Sequence, residues 1–506
     1  MGWHTTMRRA KAKHRPELED WEDDGLFEIF PAFVNSLSED YEVFIPSQQD
    51  DEENGDGSSS NINTINSNAR ICEEIPAMVD AKTVTPQQFA SEYEAKKIPA
   101  VIRNIPAGHD GGKEIPQWRA LRDWGFFALE NDPELRERAF KCGEDDDGNS
   151  IKVKLKHFLR YLQNNHDDSP LYIFDSAFED DKIAKKILRD YKVPSYFKED
   201  LFRLCSERRR PPYRWFLVGP ERSGTSVHID PLDTSAWNTL IHGQKRWVLF
   251  PPHVPKSVVK GRDLVRDDED DEPVHYFMYI LPRIKRKAAA ACFCNAVLPE
   301  GSDYKDFACY EFTQGPGETV FIPNGWWHAV LNLTHTVGIT QNFCSSRNFD
   351  EVWLKTRVGR KRLAWKWLCQ LEIRYPHLAN RAKAMNARDK FVMKYDPYVQ
   401  EMMRNKEAAE EDGREQKRHK REEGEGKDDS DDKSSCSEGG DHDDDNDISN
   451  NTNDDDDNVK PSPNGTTGGS RPLYMSSTTP QLSYLDRSWK RSRSTQQTQS
   501  RPVSPP

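Results

Sequence analysis

The chain has 506 residues, 72 Lys and Arg against 85 Asp and Glu, a formal net charge of −13, and only 35% apolar residues. Globular domains usually reach about 45–50% apolar, so part of this chain is expected not to fold. No run approaches the roughly 18 consecutive apolar residues that cross a bilayer, Met1–Ala10 lacks an apolar signal core, and the nine scattered cysteines fit a reducing compartment, which disfavours a membrane-spanning receptor and a secreted protein.

In chain order, residues 1–46 form a basic N-terminal segment that starts with Arg8, Arg9, Lys11, Lys13 and Arg15 and ends in an amphipathic patch near Phe44. Residues 47–70 are Asp, Glu, Gly, Ser and Asn with almost nothing to bury, which predicts a disordered insert. Residues 71–200 read as a helical and strand region packed on a core. There Thr85 is the N-cap of a helix with Pro86 in its first turn and Gln88 closing a capping box, and Phe89 and Tyr93 form its apolar edge. Leu155–Leu162 has helical spacing.

Short strands follow at 171–174, 226–229, 236–241, 246–250, 319–322, 327–331 and 337–343, with turns at His242-Gly243-Gln244 and Pro323-Asn324-Gly325. They place a mainly β core, a sandwich or small barrel, at 201–349. Residues 350–404 are predicted helical. Residues 405–506 read as a disordered low-complexity tail: basic at 417–422, acidic to Asp457, then Ser/Thr/Pro/Gly-rich with Arg-Ser steps at 490–494.

Three His-x-Asp triplets occur, His166/Asp168, His228/Asp230 and His442/Asp444. The last lies in the acidic tail and the first in a polar loop, where solvated charge explains both. His228 and Asp230 end a predicted strand, and a period of two puts both side chains on one face. His328, on another strand, offers a third donor. Two imidazoles and a carboxylate leave three open octahedral positions, which suits non-haem Fe(II), whereas zinc prefers a tetrahedral site richer in nitrogen or sulfur. The alternative for His228 and Asp230 is a pair buried for packing. Cys292-Phe293-Cys294 lacks a second thiolate pair and reads as small hydrophobes.

The segment Arg222-Ser-Gly-Thr-Ser-Val-His228-Ile-Asp230-Pro-Leu-Asp, the stretch from Trp237 through Lys245 to Pro251, and Pro316-Gly-Glu-Thr-Val-Phe-Ile-Pro-Asn-Gly-Trp-Trp-His328 resemble the Jumonji-C family. The motifs at Lys141–Gly148, Asp168–Asp175 and Arg209–Phe216 resemble a branch that acts on lysine and methyl-arginine in nuclear proteins. The likeness covers roughly 140–365. It implies a cupin-type double-stranded β-helix using Fe(II), with 2-oxoglutarate and O2 as co-substrates. Carried over position by position, it puts the metal ligands, which are also the catalytic residues, on His228, Asp230 and His328. The 2-oxoglutarate contacts fall on Tyr172, Thr225, Asn238, Lys245, Thr340 and Asn342. Lys245 is the natural cation for the far carboxylate, with hydroxyls from Thr225 and Tyr172. Asn238 and Asn342 read otherwise as satisfied core amides, and Lys245 as a surface residue after a turn.

The implied reaction is oxidative decarboxylation of 2-oxoglutarate to succinate, coupled to hydroxylation of a substrate C–H. On lysine it gives hydroxylysine; on an N-methyl group it gives a carbinol that loses formaldehyde. Trp215, Trp326 and Trp327 are candidates for the channel wall or for core packing. Residues 252–310, notably Arg283–Ala291, depart from the family pattern where the channel rim is expected, and the tail has Asp/Asn tracts in place of a serine run. The expected partners are Lys/Arg-rich nuclear substrates, Arg/Ser-rich splicing factors and histone tails, with an RNA contact and a homo-oligomer through the helices after 350 as further expectations. The competing class is a non-catalytic cupin acting in apoptotic-cell recognition or as a scaffold. The acidic total is local: 422–457 holds seventeen acids against two lysines, and the chain outside it carries +2.

Overall fold

A computed structural model of the chain describes residues 2–37, 73–206, 210–266, 269–270, 272–293, 304 and 307–424. The expected insert at 47–70, Cys294, His442, Asp444 and the tail beyond Gly424 lie outside them. The strands are β1 Glu73–Glu74, β2 Ala77–Asp80, β3 Ala100–Arg103, β4 Ala139–Glu144, β5 Ser150–Lys154, β6 Ile173–Asp175 and β7 Arg214–Gly219. They continue with β8 Gly224–His228, β9 Ser235–His242, β10 Lys245–Phe250, β11 Cys309–Gln314, β12 Thr319–Ile322, β13 Trp327–Asn332 and β14 Thr336–Phe343. One sheet runs β1-β11-β10-β13-β8, a larger one β2-β3-β12-β9-β14-β7-β6, and β4 pairs with β5.

Every residue of β14, and all but the last of β9, is buried, because both strands lie centrally and are covered on both faces. Trp247, Leu249, Phe312 and Val330 of the smaller sheet meet Val101, Ala236, Val320 and Ile322 of the larger in one cluster. The two sheets therefore face each other as expected for a double-stranded β-helix. Turns join the strands where predicted: Gly243 (φ 87°) and Gly325 (φ 79°) supply the left-handed backbone. Residues 77–197 cover the outer face of the larger sheet, burying Trp124, Phe140, Phe158 and Phe197 against Phe216, Trp237 and Phe321. The predicted helix start is formed as drawn, with Thr85 and Gln88 exchanging both capping bonds.

The longer helices are α1 Trp3–His14, α2 Leu26–Ser36, α3 Leu155–Asn164, α4 Leu281–Phe293, α5 Phe349–Gly359, α6 Lys361–Arg374, α7 Pro376–Arg388 and α8 Pro397–Gly424. Helix α2 and the segment 254–288 cover the outer face of the smaller sheet, through Leu26, Phe30, Phe277, Ile280 and Ile284 against Val248, Phe250 and Ala329. The atypical basic run thus belongs to a packing helix, and most of its charge is spent locally. Arg283 pairs with Glu269 at 2.5 Å, Lys285 with Glu311 at 2.8 Å, and Lys287 with Asp263. The helical region predicted at 350–404 opens with two helices, broken where Arg360 leaves helical geometry (φ −140°). Trp353, Trp367 and Leu371 pack them with α7.

The tail expected from 405 starts inside a helix: α8 runs on to Gly424, in a second unit that begins at Asp396. Glu, Lys, Arg, Gln, Met and Ala dominate 400–423, and these residues lose little rotamer freedom in a helix. Spacing of four adds an ion pair between Lys406 and Glu410 and an amide bond from Gln416 to Asp412. Among the described residues, no helix is long and apolar enough to cross a membrane.

The N-terminal segment docks through charge. Asp168 accepts the backbone N–H groups of Asp24 (2.8 Å) and Leu26 (2.6 Å), which explains its buried carboxyl without any ligand, while His166 stacks on Phe27. His275 lies between Asp24 (3.2 Å) and Asp270 (2.8 Å). Burial alone would lower its pKa, but the two carboxylates outweigh burial and raise it to about 10. A raised folded pKa stabilises fully below the unfolded value and fades as pH climbs through the folded one. Cleavage of residues 2–37 in limited proteolysis is therefore expected to accelerate between about pH 6.5 and pH 10. A His275→Gln variant should lose that pH dependence, and an unchanged profile in it would assign the effect to other groups.

Candidate active site

His228 ends β8 and His328 lies directly opposite on β13. Their ring centroids are 4.2 Å apart at 54°, and the pairing is irregular just beyond, between His328 and Val330. A bulge of this kind re-aims a side chain. The strand stops at His228, one residue earlier than the sequence pattern predicts, so Asp230 opens a turn rather than continuing the strand face. Pro231 enforces that exit, since it offers no N–H to a ladder. Donor atoms of His228, Asp230 and His328 all lie within 4.8 Å of one another.

The backbone fixes which ring nitrogens are free. His228 Nδ1 is 2.7 Å from the Ser226 carbonyl and His328 Nδ1 is 3.2 Å from the Trp326 carbonyl. A carbonyl only accepts, so each Nδ1 carries the proton and each Nε2 keeps its lone pair. Burial, then the neighbouring His228, holds the His328 pKa well below the usual range, so this ring is neutral and ready to ligate. Burial raises the Asp230 carboxyl, against opposing effects of His228 and the Asn342 amide. Its Oδ2 is enclosed without a hydrogen-bond partner. Two imidazoles with fixed free nitrogens and a carboxylate with an orphaned oxygen fit one divalent cation.

Lys245 opens β10, opposite Asn332 of β13 and Gln314 of β11. Its side chain is buried, and its Nζ donates to the Tyr172 hydroxyl at 3.2 Å. Burial alone lowers its pKa to about 7. An enclosed ammonium without a carboxylate is costly, and the far carboxylate of a dicarboxylic acid would relieve it. Gly219 makes the space: a Cβ there would collide with the Asn332 amide and sit 2.7 Å from the Tyr172 ring.

The remaining expected residues divide by sheet. Thr225 lies on β8 opposite Val330, within the strand that delivers His228. From the larger sheet, Asn238 of β9 is opposite Thr340 of β14, and its Oδ1 is enclosed with no partner. Thr340 donates its hydroxyl to the Trp237 carbonyl at 2.9 Å, which leaves it acceptor capacity only. Asn342 donates to Thr234 Oγ1 at 3.0 Å and also acts on the Asp230 carboxyl, so here it supports the metal-facing turn. Trp326 packs in the cluster between the sheets and Trp327 against the outer one, while Trp215 tilts on Phe174 at 5.5 Å.

Asn332 was not among the expected residues. Its Nδ2 donates to Ser223 Oγ at 2.9 Å, its side chain bonds the Tyr172 hydroxyl, and its Oδ1 is enclosed without a partner. The signal was present: a period of two from His328 through Val330 reaches Asn332, a polar residue in an otherwise apolar strand.

Residues 215–343 match the family model described as JmjC domain, hydroxylase. The chain is 40% identical over 306 residues to the bifunctional arginine demethylase and lysyl-hydroxylase psr-1 of Caenorhabditis elegans, covering 60% of this chain and 70% of that protein. It is 38% identical over 275 residues to the arginine-specific demethylase JMJ22 of Arabidopsis thaliana, covering 53% and 46%. It is 30% identical over 209 residues to the 2-oxoglutarate and iron-dependent oxygenase JMJD4 of Danio rerio, covering 40% and 44%.

Proposed function

Because the chain belongs to the JmjC hydroxylase family, we propose that it hydroxylates lysine side chains in Lys- and Arg-rich nuclear proteins, Arg/Ser-rich splicing factors and histone tails among them. It is an Fe(II)- and 2-oxoglutarate-dependent oxygenase. The observation that carries the reading is the complete donor trio standing beside a buried, carboxylate-free lysine. A non-catalytic binding protein has no need to keep both. Demethylation of methyl-arginine is the second activity, supported by the names of two relatives and by the same C–H chemistry. Nuclear residence is supported by the basic run at 417–422.

When bound, Fe(II) and 2-oxoglutarate supply the oxidation that replaces a substrate C–H by C–OH, with succinate and CO2 as co-products. His228, His328 and Asp230 would hold the metal, with Nδ1–H bonds to Ser226 and Trp326 keeping both Nε2 atoms aimed inward. Lys245 and Tyr172 would hold the far carboxylate of 2-oxoglutarate, and Asn332 orients the Tyr172 hydroxyl. Trp247 lies 6.2 Å from the His328 ring and packs with Val330 in an apolar wall between the sheets. That wall excludes water and strengthens each charge interaction inside.

The test is mass analysis of an Arg/Ser-rich peptide with one lysine and one methyl-arginine, after incubation with Fe(II), 2-oxoglutarate and the purified chain. A gain of one oxygen on lysine is expected, and loss of a methyl group from arginine marks the second activity. Neither product above a His228→Ala control would overturn the assignment.

A further inference from the structure

The turn that follows Asp230 is built in an uncommon way. Leu232 (φ 57°) and Asp233 (φ 59°) are consecutive non-glycine residues in the left-handed region. Such a pair persists only where its surroundings hold it. On one side, Leu232 packs against the cluster formed by α5, α6 and α7, and its Cδ2 lies 3.8 Å from where a Gly359 Cβ would be. On the other, backbone bonds close the turn, from Asp233 N to the Asp230 carbonyl at 3.1 Å and from Thr234 N to the Pro231 carbonyl at 3.3 Å.

Asp233 itself reaches across to the second metal-bearing segment. Its Oδ1 is 3.4 Å from where a Gly325 Cβ would be, so the carboxylate abuts the turn that leads into β13 and His328. The Gly325 N–H favours the charged carboxylate, while Oδ1 is enclosed without a formed hydrogen bond of its own. Lys355 and Glu351 of α5, together with Lys97, face the same carboxylate, and Lys97 pairs with Glu351 at 2.7 Å. The turn after Asp230 and the turn before His328 thus meet at one side chain, which α5 brackets from outside the family-matched residues 215–343.

We propose that Asp233 is a positioning residue that ties the Asp230 turn to the Gly325 turn and so sets the spacing of the metal ligands, with Leu232 anchoring that turn on α5. It rests on the reading of His228, Asp230 and His328 as metal ligands. Residues that orient a metal's ligands commonly change its affinity about 10–100-fold when removed, and Asp233 sits in the turn after Asp230 while abutting the turn that leads to His328.

The experiment titrates Co(II) into the full chain, following visible absorption, with melting temperature in parallel. Asp233→Gly removes the carboxylate but suits a left-handed backbone, so the variant is expected to fold. Its Co(II) affinity should fall about tenfold, with an altered absorption band and an unchanged melting temperature. Asp233→Asn keeps an oxygen of the same reach and should bind Co(II) within about twofold of the original chain. Original-like affinity and absorption in Asp233→Gly would overturn the positioning role. Failure of the unaltered chain to bind Co(II) more tightly than Asp230→Ala would instead overturn the metal reading, and this proposal with it.

Discussion

Replacing His228 or His328 by alanine abolishes turnover while the two sheets stay assembled. The expected loss in kcat/KM is about a thousandfold or more, roughly 4 kcal/mol of transition-state stabilisation. The size follows from the donor count. The structure brings together three protein donors, and each imidazole is locked by its own Nδ1–H bond to a backbone carbonyl two residues earlier. No neighbouring histidine or carboxylate among the described residues completes the trio, so a lost ring has no substitute. The fold should survive because β13 and β8 remain paired through backbone bonds and the core beside them rests on Trp247, Leu249 and Val330. Metal content by plasma mass spectrometry, with the melting temperature, separates the two effects. Turnover retained in either variant would contradict the ligand assignment.

Lys245→Met raises the 2-oxoglutarate requirement about a hundredfold and leaves metal affinity within about threefold. A hydrogen bond from a charged donor contributes about 1.5–3 kcal/mol, and the upper part of that range corresponds to about a hundredfold. The methionine fills the space left by the lysine stem, so the effect reports charge rather than packing. Isothermal titration with 2-oxoglutarate on the Mn(II)-loaded chain measures both affinities. Equal losses of metal and 2-oxoglutarate would remove the role given to Lys245.

The same residue sets a pH dependence. Burial lowers the Lys245 pKa to about 7, while a bound carboxylate favours the ammonium and raises it again. Below about pH 7 the ammonium is already present and affinity is flat. Above it each binding event must take up a proton, so affinity falls up to tenfold per pH unit until the pKa of the complex is reached. Tyr172, the polar neighbour of Nζ, does not interfere, since burial pushes its own pKa up. Lys245→Met should abolish the slope.

The sandwich was legible because its strands alternate or run apolar between clear turns: predicted and observed boundaries at 319–322 coincide, that at 337–343 differs by one residue at its start, and that at 236–241 by one residue at each end. Strands β1, β2, β3, β4, β5, β7 and β11 escaped, the shortest of them, such as Ala77–Asp80, because they carry too few residues to show a period. Helix α8 escaped for another reason. Its charge looked like solvated tail, but spacing of four between opposite charges supports a helix that buries almost nothing. At the site, the ligand trio could be named from spacing and family likeness together. The bonds that assign its free nitrogens could not, because they run to carbonyls whose direction only the bulge and the turns establish. Asp233 was hidden likewise, placed by a left-handed turn that no local pattern announces, whereas Asn332 lay within reach of the period of two that starts at His328.

The fate of molecular oxygen tests the oxygenase assignment most directly. The purified chain, given Fe(II), 2-oxoglutarate, isotopically labelled O2 and a lysine-containing Arg/Ser-rich peptide, should place one labelled oxygen on a lysine carbon and form one succinate per hydroxyl. His228→Ala should do neither. A peptide left unlabelled, with succinate no higher than in that control, would contradict it.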